Sequence, residues 1–289
     1  MTLSKPEGIA YKGVAEKIVE QNNLSCVALS RKPFLKWVGG KRSIIAELEK
    51  RLPDNYAAYY EPFIGGGALF FHVQPDRAFL SDVNFHLIIT YTAVRDDLEG
   101  LIAELKIHKA KHSPEYYLRA RKRLSAEQNP TKIAGLVIYL NKTCFNGLYR
   151  VNKKGEFNVP IGDYKEPAIL DEETLIADNQ LLQGVRIEQK SFEHVKIKKG
   201  AFYYLDPPYH QTYSQYDGSG FGEKEHARLA EFCSAIDKEG GFFMLSNSDT
   251  DLVRKLYVGY NIEEILASRS VSCKSHQRGR ENELIIRNY

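Results

Sequence analysis

The sequence predicts an α/β fold, a mostly parallel sheet covered on both faces and interrupted by an inserted module. Three observations point there. Short apolar runs alternate with helical patterns at both ends of the chain. A strand-like run at 59–64 is followed at once by three glycines, and the alternation fails between about 92 and 180. Strands separated by helices need crossovers, and crossovers make the strands parallel and cover both faces.

The elements follow in order. An amphipathic helix is expected over 43–52, then the strand at 59–64, the glycines, and the start of a helix at 68–72. A second strand reads over 79–83, and a helical pattern runs from Phe85 to about Lys111. Polar helices then lead into 141–164, which is rich in turn residues. Further strands are expected at 185–189, 202–205, 242–246, 262–267 and 283–287, with helices near 223–239 and 249–257. There is no internal repeat and no low-complexity tract.

Composition bounds the possibilities. At 289 residues and 43% hydrophobic, the chain can bury a full core in one large domain carrying an insertion. Its longest apolar run, 134–140, is far too short to span a membrane, and residues 1–30 lack the apolar core of a signal peptide. A cytoplasmic protein is expected. Cys26, Cys144, Cys233 and Cys273 show no CxxC spacing, which argues against a disulfide framework and against a zinc site. The net charge of +3 says little, but its distribution says more. Lys106, Lys109, Lys111, Arg119, Arg121, Lys122 and Arg123 lie in one stretch with only Glu115 against them. Arg269, Lys274, Arg278 and Arg280 form another. Each suits a phosphate-contacting surface or a solvated face.

Asp206-Pro207-Pro208-Tyr209 is the most informative segment. It follows the apolar run 202–205 and so sits at a strand end. The prolines fix φ and remove backbone donors, leaving the Asp206 carboxylate and the Pro207 carbonyl as acceptors beside the Tyr209 ring. Two acceptors and a stacking face suit a planar group bearing an NH2, such as a nucleobase taken out of its helix. Alone, the tetrapeptide also reads as an Asp-Pro turn beside a core tyrosine. The second constellation is Glu61-Pro62-Phe63-Ile64-Gly65-Gly66-Gly67, with Ser81-Asp82 closing the next strand. Glycines permit close backbone approach, and an acid ending the second strand is where doubly wound folds bind ribose hydroxyls. The spacing suits an adenosine ligand but matches neither GxGxxG nor a P-loop. Upstream, 34–41 (FLKWVGGK) holds the single tryptophan of the chain, Trp37.

The motifs FLKWVGGK, YYEPFIGGGALFF, FLSDVN, FNGLYRVNKKGEFNVPIGDYKEP and YYLDPPY, in this order, resemble those of the Dam-type (D12 class) DNA adenine-N6 methyltransferases over about 33–289. The resemblance implies a Rossmann-like S-adenosylmethionine-dependent methyltransferase sheet with an inserted, mostly helical target-recognition domain carrying a β-hairpin. It divides the chain into an N-terminal extension (1–32) of no assigned role, a catalytic domain (33–91 and 181–289) and a recognition domain (92–180). It implies that Trp37, Lys41, Phe63, Ile64, Gly65, Gly66, Gly67, Asp82 and Asp206 bind S-adenosyl-L-methionine. Asp206, Pro207, Pro208 and Tyr209 become the adenine-amine site. Lys36, Phe145, Asn146, Leu148, Arg150 and Tyr164 become contacts to double-stranded DNA, with Phe145 as a wedge between bases. Leu148 and Arg150 match positions that read base edges in GATC-specific relatives, and Lys36 and Tyr164 those that sense its first guanine. A monomer needing no metal, acting on the nucleoid of a prokaryote or on phage DNA, is expected.

The implied chemistry is direct transfer. The adenine N6 lone pair is delocalised into the ring, and acceptors for its two hydrogens hold electron density on nitrogen. The polar stretch 212–222 reads as a loop able to close over an extruded base. Three other readings stay open. A cytosine-N4 enzyme more often has Ser at position 206, an RNA or protein-amide enzyme more often Asn, and a DNA-binding regulator without catalysis would show a damaged motif.

Overall fold

Seven strands form one sheet among the described residues, which are 32–211, 221–268 and 280–289 of a computed structural model. They are β1 (Tyr59–Glu61), β2 (Ala78–Asp82), β3 (Arg186–Gln189), β4 (Phe202–Leu205), β5 (Phe242–Ser248), β6 (Asn261–Ser268) and β7 (Arg280–Arg287). The spatial order is β3-β2-β1-β4-β5-β7-β6. Strands β1 to β5 pair in parallel, while β7 lies between β5 and β6 and runs antiparallel to both.

All four residues of β4 are buried, as expected for a central strand covered on both faces. Phe202 and Tyr204 join one core cluster, Tyr203 and Leu205 the other, following the two-residue period of a strand. The first cluster is covered by α1 (Ile45–Glu49), α2 (Ala68–Val73), α3 (Phe85–Asp96), α4 (Leu98–Ala110), α5 (Pro114–Leu124), α6 (Pro130–Thr143) and α7 (Glu172–Leu182). The second is covered by α8 (Glu223–Lys238) and α9 (Asp251–Leu256). The 134–140 apolar run lies within α6, where it is wholly buried.

Several elements differ from the sequence reading. The helix expected from Phe85 to Lys111 is two helices, because Asp97 (φ −141°) leaves the helical region and caps α4 by accepting from Gly100 N at 3.2 Å. The helix at 43–52 is a 3-10 turn, Lys41–Ser43, followed by α1, with Ile44 (φ −119°) between them. Strand β1 ends at Glu61, since Pro62 cannot donate to a ladder. The hairpin has no regular strands among the described residues. The backbones of its arms pair only at isolated antiparallel bridges, Cys144 to Ile161 and Val151 to Phe157. Asn146 (φ 55°) and Gly147 (φ 64°) turn the first arm through the left-handed region, and that interrupts a ladder.

Residues 1–31 of the N-terminal extension, 212–220 of the loop expected over 212–222, and Cys26, Cys273, Arg269, Lys274 and Arg278 lie outside the described residues. Cys144 and Cys233 are buried free thiols. No helix of the described residues is long and apolar enough to cross a membrane.

Candidate active site and nucleic-acid interface

Strand order reverses between β1 and β4, which lie side by side. The turns after both strands therefore open into one crevice at the carboxyl end of the sheet. The glycine turn follows β1, and Asp206-Pro207-Pro208-Tyr209 follows β4.

Lys41 joins these two turns. Its Nζ donates to Asp206 Oδ2 at 2.8 Å and to the Gly39 carbonyl at 2.5 Å, and lies 4.8 Å from the centre of the Tyr209 ring. Asp206 Oδ1 is covered by protein yet has no partner among the described residues. Burial pushes the Asp206 carboxyl up to about 6, against the pull of Lys41 and with a further push from Glu283. The Tyr209 hydroxyl donates to Glu283 Oε2 at 2.9 Å. Beside them, Glu61 is buried and pushed well above the usual carboxylate range by desolvation. The Tyr59 hydroxyl donates to it at 2.6 Å, and the Asp206 charge adds to the push. The segment is pinned again just past Tyr209. His210 N donates to Asn247 Oδ1 at 3.1 Å, and Ser248 Oγ donates to the His210 carbonyl at 2.6 Å.

The glycine turn is shaped by its protein neighbours. Gly65 (φ 45°) and Gly67 (φ 68°) need the left-handed region. A Cβ on Gly65 would stand 2.8 Å from Trp37 Cδ1, and one on Gly67 2.6 Å from the Tyr91 hydroxyl. Close approach at these two positions is thus already demanded by Trp37 and Tyr91, and Gly66 is crowded by Trp37 as well. Gly65 N donates to Asp82 Oδ2 at 3.3 Å and Asn84 N to Oδ1 at 3.0 Å. Burial raises the Asp82 carboxyl to about 6, and these backbone donors oppose the rise. Each Asp82 oxygen keeps acceptor capacity for a hydroxyl. Ile64 has its side chain in the core, while Phe63 packs 5.4 Å from Phe192 and 5.9 Å from Phe221, ring centre to ring centre.

The residues expected to meet DNA lie around 141–164. Asn141 holds the strap together, accepting from Lys36 N at 3.0 Å and donating to the carbonyls of Lys36 (2.8 Å) and Gly147 (3.0 Å). Lys36 Nζ sits 5.1 Å above the Tyr164 ring, so these two residues are neighbours. Phe145 is 46% exposed, and Asn146 is exposed beside it. Leu148 is half-buried against the core. Arg150 donates from Nε to Asn158 Oδ1 at 2.7 Å and from Nη2 to the Asn158 carbonyl at 3.2 Å. Tyr149 stacks on Trp37 at 5.3 Å and 23°, linking this loop to the glycine turn.

The 106–123 basic stretch is less free than its sequence suggests. Lys106 pairs with Glu172 at 3.1 Å and Arg123 with Glu127 at 2.6 Å, so acids outside the stretch oppose it. Lys122 remains exposed. Among the described residues no group of three or more His, Cys, Asp or Glu is arranged to hold a metal ion.

The mixed α/β sheet, with seven mostly parallel strands, fits a methyltransferase that takes its methyl group from S-adenosylmethionine. The chain belongs to the D12 class of N6 adenine-specific DNA methyltransferases, whose family pattern matches residues 37–271. It is 40% identical over 286 residues to the type II methyltransferase M.MjaIII of Methanocaldococcus jannaschii, covering 89% of this chain and 99% of that protein. Identity to the type II methyltransferase M1.LlaDCHI of Lactococcus lactis subsp. cremoris is 38% over 275 residues, covering 90% and 96% respectively. The DNA adenine methylase of Escherichia coli K12 is 30% identical over 261 residues, covering 87% and 93%. The family uses S-adenosylmethionine as methyl donor and DNA as substrate.

Sequence reasoning gave no role to Glu283, Glu61, Asn141 or Asn158. Glu283 carried a detectable sign, an acid heading the apolar run 284–286. The two asparagines carried none, since Asn in a turn-rich segment is ordinary.

Proposed function

We propose that this protein methylates N6 of an adenine extruded from double-stranded DNA, within the sequence GATC. The observation that carries the chemistry is Asp206, with one oxygen gripped by Lys41 and the other covered and unpartnered among the described residues. A buried acceptor without a donor costs roughly 1–3 kcal/mol. An amine hydrogen arriving at Oδ1 would relieve that cost at the moment of reaction. The Pro207 carbonyl accepts the second hydrogen, and Tyr209 offers a face for the base. Lys41 keeps Asp206 ionised, so that it accepts and does not donate.

S-adenosyl-L-methionine supplies an electrophilic sulfonium methyl. Trp37, Lys41, Phe63, Ile64, Gly65, Gly66, Gly67, Asp82 and Asp206 are the residues we assign to holding it, Asp82 through its remaining acceptor sites. The segment 92–180 is the recognition module inserted into the catalytic domain 33–91 and 181–289. From it Phe145, Asn146, Leu148, Arg150 and Tyr164 engage the duplex, together with Lys36 of the catalytic domain. Two N–H groups of the Arg150 guanidinium are taken by Asn158, and the rest are available to fork onto a guanine edge. The protein acts as a monomer and without a metal ion.

Mapping methylated positions in DNA from cells expressing the protein tests this reading. N6-methyladenine confined to GATC is the expected result. Methylation of adenine in another sequence would remove the GATC assignment and keep the chemistry, and methylcytosine would remove both.

A further inference from the structure

Glu283 stands in β7, in register with Ser248 of β5 and Ile265 of β6, and is only 7% exposed. A carboxylate placed so deeply needs a hydrogen-bonding partner to offset its desolvation. That partner is the Tyr209 hydroxyl, at 2.9 Å from Oε2. The contact belongs to a longer chain. Lys41 Nζ lies 4.8 Å from the centre of the same ring and 2.8 Å from Asp206 Oδ2. Glu283, Tyr209, Lys41 and Asp206 thus run in sequence from the antiparallel strand to the acceptor carboxylate.

The geometry of a tyrosine gives this chain a purpose. Its hydroxyl lies on the axis about which the ring turns, so an anchor there fixes the direction of that axis. An ammonium against the face restricts rotation about it, since the attraction weakens as the ring turns edge-on. Together the two contacts define the plane of the ring. A charged acceptor also makes a shorter and stronger hydrogen bond than a neutral one.

We propose that Glu283 is a positioning residue for methyl transfer. By anchoring the Tyr209 hydroxyl, it holds the ring in the plane against which the extruded adenine stacks. This inference rests on the adenine-N6 reading above. It assigns to β7, the antiparallel strand of the sheet, a part in orienting the base.

The test compares wild type, Glu283→Ala, Glu283→Gln, Tyr209→Phe and the double variant Glu283→Ala/Tyr209→Phe. Single-turnover methyl transfer is measured alongside fluorescence of duplexes carrying 2-aminopurine at the target position. Misplacing a reacting group is costly, so Glu283→Ala and Tyr209→Phe should each lower the transfer rate about 10- to 100-fold. Both should change the 2-aminopurine emission in the same sense while leaving S-adenosylmethionine affinity unaltered. Because both remove the same hydrogen bond, the double variant should be no slower than the slower single one. Glu283→Gln keeps an acceptor at the same reach and should recover most of the rate. Wild-type rate and emission in Tyr209→Phe would overturn the proposal even where Glu283→Ala fails to fold, as would losses that multiply in the double variant. Failure of the underlying reading is visible separately, as absence of N6-methyladenine in the wild-type product.

Discussion

At the carboxyl end of β4 the polar side chains hold partners from distant parts of the chain, whereas between 144 and 164 the polar pairing is mostly local and several side chains reach into solvent. Asp206, Lys41, Tyr209 and Glu283 form one connected set, and His210 is tied down just beyond it. In the loop, Phe145 is 46% exposed and Tyr164 36%, and the backbones of the arms pair only at isolated bridges. The difference suits the two tasks proposed for these regions. Acceptors that must stabilise developing charge work best when fixed beforehand in a water-poor site, because no reorganisation is then needed. Side chains that must read a duplex need access to the grooves and room to adjust on contact. The regions meet where Tyr149 stacks on Trp37, the residue that also covers the glycine turn.

If the rigid end carries the chemistry and the loop the choice of sequence, their variants should fail in different ways. The largest effect is expected from Asp206→Ala. Loss of one preorganised electrostatic partner should lower the transfer rate about 10²- to 10³-fold, with affinity for DNA unchanged. Retained turnover in single-turnover assays would break the comparison outright.

Lys41→Met comes next and is read through pH. Burial holds the Asp206 carboxyl near 6, so the wild-type rate should climb as pH rises through that value and the acceptor ionises. Lys41 pulls the carboxyl down; without it the midpoint should move upward, and activity should fall more at pH 7 than at pH 8.5. An unmoved midpoint would separate Asp206 from the profile.

Arg150→Ala should spare transfer on matched DNA more than either and cost about 1–3 kcal/mol of discrimination at a single base pair. Asn158→Ala should give a smaller loss at that same pair, since it removes only the contact that orients the guanidinium. The comparison to run is GATC against each single-mismatch duplex. Equal losses on all of them would make Arg150 a positioning group.

The smallest effect is expected at Lys122, exposed on α5. Its replacement by Ala should weaken binding to every sequence alike and reduce the slope of log K against log salt by about 1. An unchanged slope would place the phosphate path elsewhere.

Much of the scaffold was legible because it is local. The apolar run 202–205, the turn residues after it and the glycines at 65–67 each act through neighbours in the chain, so β1, β2, β4 and the two turns stand near where they were read. Misjudged boundaries were also local matters, read too loosely. Asp97 could have been recognised as a cap, and Pro62 as the end of a strand.

Sequence alone therefore determined the class of fold, the order of the motifs and the presence of an acceptor carboxylate at a strand end. Tertiary structure decided what those groups touch. Tyr209 and Glu283 are 74 residues apart, and nothing in either segment names the other. Glu172, far beyond the basic stretch, likewise meets Lys106 only in the fold. The insertion of β7 between β5 and β6 brings Glu283 to the site. The reason is physical: backbone preferences act over a few residues, whereas an ion pair or a buried hydrogen bond depends on distance in space. Many acids and bases in this chain are chemically equivalent as sequence, and packing alone selects which of them meet.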